Sequence, residues 1–246
     1  MEPTHLLIAF AGIAAGGLMK GAVGAGAPII GVPVLALIYD VPLAVAIFSF
    51  PNLLSNLWQG WAFRRFQVSG RFVWIFAVAG MVGVLAGTVL LATLSDEILM
   101  GAVGVMTLVY MALRLSRPDW VLGRAEATRL VGVAGFLGGI LQGAAGVSAP
   151  VSVSFLNAMR MDRTEFIATI SVFFAALSLV QVPALWSLNI LTPDRLLLSC
   201  VAMVPLFGMM PVGAWLARKL SAGTFDKIIL GVLLVLALRL LSAALL

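Results

Sequence analysis

The chain has 246 residues, 62% of them hydrophobic and 10% charged, with a mean hydropathy of +1.14. A soluble domain of that size has too little interior to hide so much apolar surface, so the bilayer is the expected solvent. The net charge of +5 raises nucleic acid as a partner, but the basic residues sit in short clusters between apolar runs. That is the pattern of cytoplasmic loops, and it argues against nucleic acid.

In chain order, the N-terminus MEPTHLLIAF has no basic n-region, and its apolar run continues without a cleavage site. It is expected to belong to the mature protein. Spanning a bilayer as a helix takes about 20 apolar residues. The run 6–19 falls short of that, and 28–39 is shorter still. Between them lies GGLMKGAVGAGAP, broken by glycines and holding Lys20. Runs 41–63, 72–94 and 98–115 are each long enough to cross. The loop 114–129 carries Arg114, Arg117, Arg124 and Arg129 against Asp119 and Glu126, and marks a boundary between halves 1–123 and 124–246. The second half repeats the order. Runs 130–141 and 150–159 are short, and 166–188, 196–216 and 225–245 are full length.

The second half has its own broken stretch, GGILQGAAGVSAP, at an offset of 122 residues. Gly16, Gly17, Gly21, Gly24, Pro28 and Asp40 fall on Gly138, Gly139, Gly143, Gly146, Pro150 and Asp162. Lys20 falls on Gln142, and Gly26 on Ser148. Matched, glycine-broken apolar segments in one membrane chain point to a transport site.

Charge selects the orientation of the halves. Parallel halves would leave Arg160, Arg163, Arg218, Lys219 and Lys227 outside. Inverted halves put them with Arg64, Arg65 and Arg71 on the cytoplasmic side, leaving only Arg195 and Arg239 misplaced. The expected fold is therefore an all-α polytopic membrane protein. It has two inverted repeats of four to five hydrophobic segments each, with both termini outside. The short runs would be half-helices, with hairpin tips at 20–27 and 142–149 meeting near the bilayer midplane. Pro28 and Pro150 suit the first turn of the following helix. Free amides and the positive dipole end after Gly24, Gly26, Gly146 and Ser148 would then form an anion site, with Gly21 and Gly143 beside it.

Lys20 would supply positive charge there, and Gln142 a neutral donor opposite. The alternative for Lys20 is a helix end from which it snorkels to headgroups. Ser49, Asn52, Ser55, Asn56 and Gln59 follow the first hairpin, and Ser171, Ser178 and Gln181 the second. Positions 49, 52, 56 and 59 share a helical face. Asn52, Asn56, Gln59 and Gln181 are the candidate substrate hydrogen-bonders, with interhelical glue as the alternative. Pro51 would open the helix beside Asn52. Trp58, Trp61 and Trp74 read as interfacial anchors, and Gly83 with Gly87 as a helix-packing pair.

Cys200 is the one cysteine, so no disulfide forms within the chain, and His5 is the one histidine. There is no metal-ligand cluster and no Ser/His/Asp set, so neither catalysis nor a cofactor is expected. The ten carboxylates fall in or near loops, whereas a proton relay needs one deep in the bundle; Asp40, Asp162 and Glu165 come nearest, with helix capping as the alternative.

The paired GGLMKGAVGAGAP and GGILQGAAGVSAP stretches resemble the TauE/SafE family, which includes sulfite exporters and relatives moving organosulfur anions. The resemblance covers nearly the whole chain. It implies transport of a small sulfur-containing anion such as sulfite, thiosulfate, sulfoacetate or another sulfonate. The residues alone give only a small anion. The family's broken helices map here onto 20–28 and 142–150. Ser148 stands where the first copy has glycine, so that backbone would approach a ligand less closely. The expected partners are a small anionic substrate and the lipid bilayer, with a homo-oligomer left open. The expectation is an alternating-access transporter of the bacterial cytoplasmic membrane. An anion channel or a structural subunit of a membrane complex are the alternatives.

Overall fold

The computed structural model describes residues 3–68, 70–116, 121–219 and 222–245, with 222–229 described by backbone alone. Arg117 and Asp119 of the basic loop, and the Lys227 side chain, lie outside the described residues. The chain folds as α1 (Pro3–Val23), α2 (Ala27–Ile38), α3 (Val41–Ala62), α4 (Gly70–Thr93) and α5 (Asp96–Leu115). It continues as α6 (Arg124–Ala145), α7 (Ser152–Ala158), α8 (Arg163–Ser187), α9 (Pro193–Lys219) and α10 (Ala222–Leu245). Among the described residues, seven helices are long and apolar enough to cross a membrane: α1, α3, α4, α5, α6, α8 and α9. The protein is an all-α, multi-pass membrane protein.

Two of these helices correct the expectation of half-helices at 6–19 and 130–141. Helix α1 has 21 residues and α6 has 22, and both run through their glycines. Those glycines serve close packing, not breakage. A Cβ on Gly17 or Gly21 would strike the carbonyl oxygen of Leu206 or Met210 in α9. A Cβ on Gly139 or Gly143 would strike that of Gly80 or Val84 in α4. Gly83 and Gly87 return the contact against Phe136 and Ile140, as their spacing predicts. Only α2 and α7 stay short, at 12 and 7 residues.

The same contacts fix helix directions. Gly17 and Gly21 face Leu206 and Met210, so α1 and α9 run parallel. Gly135, Gly139 and Gly143 face Phe76, Gly80 and Val84, so α6 and α4 run parallel. Helices α3 and α8 correspond at the 122-residue offset. Asn52 faces Ser178 and Gly60 faces Ser171 and Val172, so this pair is antiparallel. Gly101 beside Ala244 and Gly104 beside Leu241 make α5 and α10 antiparallel as well. One end of the bundle therefore gathers Arg64, Arg65, Arg71, Arg124, Arg129, Arg160, Arg163, Arg218 and Lys219. Helix α1 begins and α10 ends at the other. Trp58, Trp61 and Trp74 are exposed toward the basic end, where the Arg64 guanidinium lies 4.4 Å from the Trp61 ring centroid.

The hairpin tips do not meet at the midplane. Gly24 (φ +87°), Gly26 (φ +94°) and Gly146 (φ +67°) adopt the left-handed backbone that a turn at these points needs. Gly24 packs on Ile167, near the start of α8, and Gly146 on Val45, near the start of α3. Since α3 and α8 are antiparallel, the tips lie toward opposite ends of that pair. At about 1.5 Å per residue they are roughly 25 Å apart along its axis. The cause is the length of α1 and α6, which carry each tip past the centre before the chain turns. Pro28 does sit in the first turn of α2. Pro150 sits in the turn before α7, which begins at Ser152.

Candidate functional site

The crossing of α3 and α8 holds a cluster of side chains where the tips were expected. Helix α3 starts at Asp40, whose carboxylate accepts from the Leu43 amide at 2.5 Å. Pro51, inside the helix, has no N–H to offer the carbonyl of Ile47. Ser199 of α9 fills that opening: its Oγ donates to Ile47 O (2.8 Å) and accepts from the Phe50 amide (3.2 Å). One turn further on, Asn56 Nδ2 donates to Asn52 O (2.7 Å) and Asn52 Oδ1 (2.8 Å). Asn52 Nδ2 in turn donates to Ser178 Oγ of α8 (3.2 Å).

Lys20 enters this chain from α1. Its Nζ donates to Asn56 Oδ1 at 2.7 Å, and the residue is 1% exposed. The snorkelling alternative therefore does not hold, because the ammonium turns inward. An ammonium carries three donors, and here one meets a protein acceptor. That acceptor is an amide, and among the described residues no carboxylate offsets the charge. Holding a charge out of water without a counter-charge is costly. Asn52, Ser55 and Asn56 of α3 are themselves buried.

Gln142 and Gln181 lie buried together, with Gln181 Nε2 donating to the Gln142 carbonyl at 3.3 Å. Gln59 is buried one turn beyond Asn56, and its Oε1 has no partner among the described residues. It lines a cavity of about 530 Å³ together with Gly21, Trp58, Phe63, Ile167, Phe207, Met210 and Pro211. Arg163 and Arg218 line the same cavity at the basic end. Arg163 Nη2 also donates to Ala22 O at 2.7 Å, satisfying a carbonyl at the end of α1.

The structure thus brings together Lys20, Asn52 and Asn56, with Gln59 adjoining them. It places Gly21 and Gly143 in helix packing. Gly24, Gly26 and Pro28 stand at one tip, and Gly146, Ser148 and Pro150 at the other, so a backbone cradle shared by both tips is not formed. At the second tip, Ser148 Oγ lies 2.6 Å from Ser152 Oγ. Sequence reasoning left Ser178 outside the site, although it shares the 122-residue offset with Asn56. It counted Arg163 and Arg218 only as loop charges. Chemically, the cluster offers one amine able to carry a positive charge among neutral amides and a hydroxyl, an arrangement suited to holding an anion.

Searches of curated proteins and of solved structures each returned no significant match. The family model described as Sulfite exporter TauE/SafE matches residues 8–240. The chain therefore belongs to the TauE/SafE family, whose members are membrane transporters of sulfur anions such as sulfite.

Proposed function

We propose that this chain moves a small sulfur oxyanion or organosulfonate by alternating access, with Lys20 as the fixed charge that receives it. The observation that carries this reading is the buried ammonium whose one partner among the described residues is an amide. Two donors remain for a solute, and an anion would neutralise the site. Asn52, Asn56 and Gln59 supply the hydrogen bonds beside it, and Gln142 with Gln181 a second polar pair further along the path. The halves 1–123 and 124–246 act as inverted units, a reading supported by the antiparallel α3/α8 and α5/α10 pairs. Their rocking would expose the cluster to each side in turn. In this conformation the cavity runs from the basic end to Gln59, while Lys20 and Asn56 close the crossing beyond it. With the basic end cytoplasmic, in a bacterial inner membrane, this is an inward-facing arrangement.

The test is flux of sulfite into liposomes containing the purified chain alone. The expected result is saturation with substrate and counterflow under exchange conditions. Flux linear in concentration without counterflow would make the protein a channel, and no flux at all would favour a structural subunit.

Topology gives a separate prediction. In a Cys200→Ala background, Arg65→Cys, Val121→Cys and Asp162→Cys should all react with an impermeant maleimide from one side of the membrane. Ser95→Cys should react from the other. Labelling of positions 65 and 162 from opposite sides would reject the inverted halves.

A further inference from the structure

The cavity between α1, α3, α8 and α9 is too large and too apolar to be explained by an inorganic oxyanion alone. At roughly 30 Å³ for a water-sized group, an ion of four heavy atoms fills about a quarter of its 530 Å³. Its walls are mostly hydrophobic: Trp58, Phe63, Phe207, Met210 and Pro211. Such walls give a bare oxyanion nothing and oppose its desolvation. The polar groups stand at the two ends. Arg163 and Arg218 mark the basic mouth, and neither has a carboxylate partner among the described residues. At the inner end Gln59, 4% exposed, carries the unpartnered Oε1 and lies one turn from Asn56.

We infer that the cavity is a binding site for an amphipathic organic anion, a compact sulfonate or carboxylate head on an apolar body of several carbons. The head pairs with the arginines on arrival, while the body occupies the aromatic and methionine-lined interior. The inference deepens the transport reading and rests on it, since it makes the cavity the approach to Lys20. It narrows the preferred substrate from any small sulfur anion to those carrying an apolar chain.

The experiment titrates the protein, held in phosphatidylcholine nanodiscs, with sulfite and with straight-chain sulfonates from methane- to hexanesulfonate. Each added methylene that enters the cavity should tighten binding about fourfold, so hexanesulfonate should bind at least about a hundredfold tighter than methanesulfonate. Ala214→Phe, which fills the cavity wall, should abolish the gain with chain length and leave methanesulfonate within about threefold. Arg218→Gln should weaken hexanesulfonate about fivefold or more, a second readout at a solvent-exposed position. Affinity flat with chain length overturns the inference, and so does a gain that survives Ala214→Phe, since that gain would be partition into lipid. Phosphatidylglycerol discs that weaken hexanesulfonate more than tenfold would overturn it too, by making the cavity a lipid-headgroup site. Anions that bind through Lys20 without any chain-length gain would sink this inference and leave the transport reading standing. A chain-length gain in a protein whose absolute affinities are unchanged by Lys20→Gln would do the reverse.

Discussion

Replacing Lys20 with glutamine is expected to weaken anion binding more than tenfold while leaving the protein at least as stable. The two effects have separate origins. A hydrogen bond to a charged group contributes about 1.5–3 kcal/mol, which is roughly ten- to a hundredfold in affinity. Glutamine keeps a donor for Asn56 Oδ1 but removes a charge that is costly to hold out of water without a counter-charge. Function and stability should therefore move in opposite directions. Titration calorimetry with sulfite and thermal unfolding of the same sample measure both. An affinity within threefold of the parent, in a protein that still folds, would end the role assigned to the charge. Asn56→Leu is the informative contrast. It strips the ammonium of its acceptor among the described residues, and losing a hydrogen bond to a charged group costs about 1.5–3 kcal/mol. That variant should lose stability and binding together. If both variants lowered stability alike, Lys20 would be a structural strut and not a solute site.

The glycines at 16–28 and 138–150 explain both what could be read in advance and what could not. Their duplication pointed to two halves, and the polar positions 52 and 56 marked the face of α3 that meets α8. The basic residues also sorted to one end of the bundle as their distribution required. What misled was the function of glycine itself. In a linear reading, Gly16, Gly17 and Gly21 break a helix that is already short. In the folded chain Gly17 and Gly21 are the surface on which α9 lies, and the absence of Cβ is a tertiary requirement invisible from α1 alone. That misreading shortened α1 and α6, which moved the tips to the midplane and put backbone amides where side chains now stand. Pro51 misled similarly: the Ile47 carbonyl it frees goes to Ser199, 152 residues further along, a partner no local pattern announces. The cavity was not legible because its walls come from four helices, and its arginines look like ordinary loop charges in sequence.

Adding one methyl group at Gly21 is expected to cost the protein about 1–3 kcal/mol and to reduce anion binding as well. The new Cβ would meet the Met210 carbonyl, a backbone atom that cannot rotate away, so α1 and α9 must separate. Gly213 makes the reciprocal contact on the Leu18 carbonyl, so Gly21→Ala and Gly213→Ala should damage one interface and combine non-additively. Because Lys20 adjoins Gly21, a shift of α1 also draws Nζ from Asn56. Gly143→Ala should cost similar stability at the α4–α6 interface, where its Cβ meets Val84, while disturbing sulfite affinity less. Gly208→Ala is the control. Nothing lies within 4 Å of its Cβ, and alanine favours an exposed helix by up to about 1 kcal/mol. Thermal unfolding of the four alanine variants, with sulfite titration of each, separates the cases. If Gly21→Ala behaves like Gly208→Ala, α1 does not lie against α9 at backbone distance, and the placement of Lys20 at the crossing goes with it.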